Sequence, residues 1–90
     1  MRILVIDDLR TFEVAETHAR NYDDGIDQLA NNGPWDSLYL DHDLGDGPSG
    51  YNVLCWLELH PNFLPGEIVL VTANPVGRDR MRQVIEKLYP

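Results

Sequence analysis

Asp7-Asp8 closes the apolar run Ile3-Leu4-Val5-Ile6, and Asp41-His42-Asp43 closes the run Leu38-Tyr39-Leu40. Clustered carboxylates suit a hard divalent cation, which prefers oxygen ligands and phosphate. Asp7, Asp8 and Asp41 are therefore candidate ligands for Mg²⁺ or Mn²⁺. His42 stands among carboxylates that favour its charged form, and a histidine so placed exchanges protons near neutral pH. His42, Asp41 and Asp43 are the candidate catalytic groups. Arg10, Arg20 and Arg78 are candidate phosphate-binding groups, because the guanidinium fork matches phosphate oxygens. Thr72 and Asn74 follow a third apolar run and join that phosphate-binding set. Residues 76–78 open a helix, whose first amides favour an anion. Together these groups describe a phosphate-ester site.

Each group also has a plainer reading. Acids solvate loops, Asp43 and Asn74-Pro75 suit turns, and Arg80 and Arg82 suit a solvated helix face. His18 and His60 read as incidental, and Cys55 reads as core, where a free thiol packs like a small hydrophobe. What lifts the functional reading is placement, and placement depends on the elements.

Residues 3–6 are β-branched-rich and read as a strand buried on both faces. Residues 13–17 are a weaker strand candidate. Residues 22–30 have helical apolar spacing, with Asn21 as cap and Gly33-Pro34 as stop. Residues 37–40 form the next strand, and residues 45–50 a loop by composition. Ser49 caps a helix that runs through Leu59. Residues 67–72 are the last strand, residues 74–77 a loop, and residues 78–89 a helix with Met81, Val84, Ile85 and Leu88 on one face. Strands alternating with helices imply a parallel sheet covered by helices, here α/β with four mainly parallel strands in the order 2-1-3-4 and three helices. No helix separates the first two strands, so an antiparallel hairpin is the alternative there. In an open parallel sheet, ligands bind past the carboxyl ends of the strands. Asp8 and Asp41 would then come from adjacent strands, with His18, Arg20, Asn21, Thr72, Asn74 and Arg78 at the same edge.

The 90 residues predict one domain, residues 1–90, with one modest core. The net charge is −8. Residues 78–90 carry Arg78, Arg80, Arg82 and Lys87 against Asp79 and Glu86, so the acid excess lies in the rest. That balance disfavours non-specific DNA binding and repels an acidic membrane surface. The single cysteine excludes an intrachain disulfide and a Cys-based zinc site. No run approaches the ~20 apolar residues of a membrane span, and the first residues lack a signal-peptide core. A soluble protein of a reducing compartment, the cytoplasm, is the expectation. Apolar character nearly all round residues 53–59 leaves room for a homodimer.

The strand ends ILVIDD, LYLD and VLVTA resemble those of a response-regulator receiver domain. The resemblance implies a compact, flavodoxin-like three-layer sandwich. It also implies that Asp7, Asp8 and Asp41 hold Mg²⁺, with Asp41 as phosphoryl acceptor and Thr72 in contact with the phosphoryl group. The chain departs from that pattern: the first helix, the fifth strand with its lysine and the fifth helix have no counterpart. A closer resemblance is to the cyclic-phosphate-processing receiver domains, a compact offshoot. It rests on Asp7-Asp8-Leu9-Arg10, Arg20-Asn21-Tyr22, Leu40-Asp41-His42-Asp43-Leu44-Gly45, Ser49-Gly50-Tyr51 and Ala73-Asn74-Pro75-Val76-Gly77-Arg78. It implies metal-dependent hydrolysis of a cyclic phosphate on a nucleotide, an ADP-ribose derivative or an RNA end. Two other functions compete. One is a binder that sequesters a cyclic-nucleotide signal without cleaving it, as a phage protein would to blunt host immunity. The other is a degenerate receiver that switches a partner through phosphorylated Asp41.

Overall fold

The most apolar run of the chain becomes its most buried strand. Ile3–Ile6 forms β1, with all four residues buried. A computed structural model describes residues 1–90. After β1 come β2 (Thr17–Ala19), α1 (Tyr22–Asn31), β3 (Ser37–Leu40), α2 (Gly50–Leu59), a 3-10 turn at Pro61–Phe63, β4 (Glu67–Leu70) and α3 (Pro75–Leu88). The strands make one sheet in the order β2-β1-β3-β4, and every pair is parallel. The hairpin alternative for the first two strands is therefore excluded. No helix is long and apolar enough to cross a membrane.

The crossovers β2-α1-β3 and β3-α2-β4 run across the sheet in the same direction. Right-handed connections of that kind put their helices on one face. Accordingly α1 packs on α2 and α2 on α3. The core lies between this helical layer and one face of the sheet, with Leu4, Ile6, Leu38 and Leu40 below Leu29, Val53, Leu54, Leu57 and Met81.

The other face of the sheet is covered by the β1–β2 connection. In register, Val5 lies between His18 of β2 and Tyr39 of β3. The Phe12 ring stands edge-on to Tyr39, with centroids 5.5 Å apart. The Phe12 N–H donates to His18 Nε2 at 3.0 Å, and the Glu16 N–H to the Ile3 carbonyl at 2.9 Å. Val5 is fully buried as a result. The third layer of the expected sandwich is thus a loop rather than helices.

Five local expectations are corrected. The second strand forms at Thr17–Ala19 and not at residues 13–17. Glu16 precedes it, with its N–H on the Ile3 carbonyl and its carboxylate paired with Arg2 at 2.9 Å. His18 consequently lies inside β2, not past its end. The last strand stops at Leu70, although the Val71 N–H still reaches the Leu40 carbonyl at 3.1 Å. The last helix starts at Pro75 rather than 78, because Asn74-Pro75 is not a turn but a cap and a first helical residue. Cys55 is half-buried on the α2 rim, beside Pro48 and Trp56, and is not core.

Candidate functional site

Parallel register sets the site. Ile6 of β1 pairs with Leu40 of β3, so Asp7 and Asp41 leave their strands side by side. The Asp41 N–H donates to the Ile6 carbonyl at 2.9 Å, which fixes that spacing. Carboxylate oxygens of Asp7, Asp8 and Asp41 lie within 4.8 Å of one another. The first and last of these side chains are buried and Asp8 is half-buried.

Asp7 is held from three directions. Its Oδ1 accepts the N–H groups of Leu9 and Arg10, each at 3.0 Å, and its Oδ2 accepts Arg10 Nε at 2.8 Å. Burial alone would raise its pKa, but these bonds and the guanidinium charge outweigh it, so Asp7 titrates below the ordinary value. Asp41 shifts the other way. Burial and the neighbouring Asp7 charge raise its pKa. The Thr72 hydroxyl, the His42 N–H and Arg10 oppose that rise without cancelling it. The His42 N–H donates to Asp41 Oδ1 at 2.8 Å, and Arg10 Nη2 lies 3.6 Å from the same oxygen.

The donor set suits a small hard cation: it is all carboxylate oxygen, drawn from two adjacent strand ends. It also carries more negative charge than Arg10 neutralises. Asp7, Asp8, Leu9, Arg10, Asp41, Asp43 and Ala73 line an open concavity of about 370 Å³. A concavity of about 330 Å³ beside the end of α1 is lined by Leu29, Ala30, Pro34, Phe63, Leu64 and neighbouring amides. It holds no titratable side chain, unlike the first.

His42 adjoins the acids through its chain neighbours. Its Nδ1 lies 3.0 Å from Asp43 Oδ1 and its side chain is 18 % exposed. Its carbonyl accepts the Gly50 N–H at 2.8 Å. Gly50 is required at that place: an added Cβ would lie 1.9 Å from the Asp41 carbonyl oxygen. The start of α2 therefore presses directly on the backbone that carries Asp41 and His42.

The remaining expected groups sit at the same edge but are bonded to the protein's own loops. Arg20 Nη1 donates to the carbonyls of Asp7 (3.2 Å) and Arg10 (2.7 Å), and its Nη2 to Thr11 Oγ1 (3.0 Å). Arg78 Nη2 donates to the Thr72 carbonyl. Thr72 is buried, and its Oγ1 accepts the Asn74 N–H at 3.1 Å. Asn74 Oδ1 accepts the Gly77 N–H at 3.0 Å, and its carbonyl accepts the Arg78 N–H at 2.9 Å. Two of the three amides expected to greet an anion at residues 76–78 are thus already bonded. Sequence reasoning passed over Leu9 and Ala73 as wall residues. It gave no separate role to Gly50 and Gly77, whose signal was their place in the Ser49-Gly50-Tyr51 and Ala73-Asn74-Pro75-Val76-Gly77-Arg78 motifs.

A family model for the cyclic-phosphate processing receiver domain matches residues 2–87. The chain belongs to this family. The match spans both strand ends that carry the acids, the β1–β2 loop and the first turn of α3, so the whole site of this receiver domain falls within it. No curated protein and no solved structure matches the chain.

Proposed function

We propose that this receiver domain hydrolyses a cyclic phosphate carried on a nucleotide, an ADP-ribose derivative or an RNA end. One observation carries the reading. An imidazole whose Nδ1 is bonded to the Asp43 carboxylate belongs to the residue next to Asp41, one of three clustered carboxylates, and its own main-chain N–H is held by Asp41 Oδ1. A phosphoryl acceptor switch needs no such imidazole. Hydrolysis of a phosphodiester needs a base, an acid and a neutralised phosphoryl group.

Asp7, Asp8 and Asp41 would hold the divalent cation, Mg²⁺ or Mn²⁺. Bound there, such an ion polarises a phosphoryl oxygen. Asp43 orients His42: with Nδ1–H donated to Asp43 Oδ1, the Nε2 lone pair is left to take a proton. Nε2 takes it from the attacking water as the water oxygen bonds to phosphorus. One ring P–O bond breaks, and the departing oxygen receives that proton from Nε2. The product is a phosphate monoester with a free hydroxyl.

Arg10, nearly half exposed on the concavity wall, adds positive charge where the phosphoryl oxygens become more negative. Arg20, Thr72, Asn74 and Arg78 contribute by holding the loops that carry these groups.

Phosphorus NMR tests the proposal. Cyclic mononucleotides, cyclic dinucleotides and ADP-ribose cyclic phosphate are mixed with the protein and Mg²⁺, beside His42→Ala. A new monoester resonance that disappears in His42→Ala is the expected result. Broadened ligand signals without product would replace hydrolysis by sequestration. Labelling of Asp41 by small phosphodonors, with no cyclic-phosphate turnover, would replace it by a switch.

A further inference from the structure

We propose that Gly77 is a positioning residue for His42: by lacking a side chain it gives the imidazole a seat on the first turn of α3. The inference rests on the reading that His42 moves the proton. A Cβ built at Gly77 would lie 2.6 Å from both Cγ and Cδ2 of His42 and 3.0 Å from Nε2. Ordinary contact begins at 3.4 Å. All three nearest atoms belong to that one ring.

The backbone gives no other reason for glycine here. Gly77 is buried within α3, and its φ is not positive. Glycine is among the poorest helix formers, so a helical position with negative φ ordinarily favours alanine. What position 77 requires is room, and the imidazole takes that room.

Both sides of the contact are anchored. On the histidine side, the main-chain N–H binds Asp41 Oδ1, the carbonyl binds the Gly50 N–H, and Nδ1 faces Asp43. On the helix side, the Gly77 N–H is held by Asn74 Oδ1, and the Asn74 N–H by Thr72 Oγ1. Thr72 and Asn74 thereby act on His42 through Gly77. With both backbones fixed, a methyl at position 77 is relieved most cheaply by rotating the His42 ring. The ring is 18 % exposed, so its way out is toward water. Leaving its seat, it also leaves Asp43.

Gly77→Ala on the full chain is the test, with long-range proton–nitrogen NMR of the histidine rings at one neutral pH. The His42 ring signals should shift and lose their single-tautomer pattern, while those of His18 and His60 stay. In the hydrolysis assay kcat should fall about tenfold or more, with the roughly 10²–10⁴-fold of a wholly lost general base as the upper bound, while KM moves less than about threefold. The second arm is a double variant. In a His42→Ala background the methyl meets no ring, so Gly77→Ala should leave the melting temperature equal or higher. Unmoved His42 ring signals in Gly77→Ala would overturn the proposal. So would a Gly77→Ala penalty of the same size with and without His42. Should Gly77→Ala alone not fold, a folded double variant supports the contact and an unfolded one overturns it. If the parent turns over no cyclic phosphate, hydrolysis fails as a reading, while ring NMR and the double variant still decide the role of Gly77.

Discussion

Asp41→Asn should make the protein more stable at neutral pH and less responsive to magnesium. The Asp41 side chain is 12 % exposed, and Arg10 Nη2 lies 3.6 Å away. The Asp7 and Asp8 carboxylates lie within 4.8 Å. At an effective dielectric of about 20, each such like-charge pair costs about 3.5 kcal/mol, and the arginine offsets about 4.6 kcal/mol. About 2 kcal/mol remains against the ionised form. Water around the half-exposed Asp8 screens this to about 1 kcal/mol. Burial acts in the same direction, and the pKa of Asp41 is raised accordingly. The sign follows from linkage: a raised carboxyl is harder to ionise in the folded state than in the unfolded one. The penalty is absent at low pH, grows as pH passes the unfolded value near 3.8, and is complete above the folded value. Asparagine keeps the shape and an oxygen for the His42 N–H. Thermal melts followed by circular dichroism should show a gain of about 4–8 °C near pH 7, from about 1 kcal/mol in a chain of this size. The gain should vanish near about pH 3, where the parent carboxyl is neutral in both states. Magnesium at about 100 times its Kd should stabilise the parent by about 2.7 kcal/mol and the variant by much less. A lower melting temperature for metal-free Asp41→Asn at pH 7 would refute the like-charge reading, and so would a gain of the same size at both pH values.

Gly50→Ala puts a carbon 1.9 Å from the Asp41 carbonyl oxygen, where ordinary contact starts at 3.4 Å. The two nearest atoms are backbone, so relief requires moving a strand end; a loss of about 3 kcal/mol and about 12 °C or more is expected in thermal melts. Arg10→Ala leaves the buried Asp7 carboxylate with only its two N–H partners. The depressed Asp7 pKa contributes stability that is present above about pH 3.8 and lost as pH falls through the folded value. Without Arg10 the acid-unfolding midpoint, followed by circular dichroism, should therefore move to higher pH. Phe12→Ala removes the ring that stands on Tyr39 and uncovers the sheet face around Val5. Denaturant melts should show a loss of about 2 kcal/mol, less than for a fully buried phenylalanine.

The strands at residues 3–6 and 37–40 were legible because fully buried parallel strands read as unbroken apolar runs. Once they were placed, the sheet order and the meeting of Asp7, Asp8 and Asp41 at one edge followed from parallel pairing. β2 was not legible in the same way. Thr-His-Ala is a short edge strand with no apolar run, and Phe12, which decides how the connection lies, looks in sequence like any loop aromatic. The start of α3 was missed because Asn-Pro has the same composition in a turn as in a cap followed by a first helical residue. The partners of the arginines were illegible for a tertiary reason. A guanidinium satisfies its donors as well on loop carbonyls as on phosphate, and nothing in local sequence distinguishes the two.

The same ambiguity explains why so many polar residues crowd one edge of so small a domain. A chain of this length buries too little apolar surface to hold its loops by packing alone. The segments past β1 and β4 carry site groups and must not drift. Arg20 ties the β1–β2 loop through the Asp7 and Arg10 carbonyls, and Arg78 ties the β4–α3 turn through the Thr72 carbonyl. Thr72 and Asn74 extend that second tie into α3. Polar groups at the edge therefore divide into two sets. Arg20, Arg78, Thr72 and Asn74 keep the loops in place; Asp7, Asp8, Asp41, Asp43 and Arg10 line the concavity where a phosphate would sit. Removing one of the first set should loosen geometry and lower kcat without abolishing metal binding. Removing a carboxylate of the second should weaken the metal itself. A count of polar residues at a strand edge thus overstates the reacting set by the number that serve as ties.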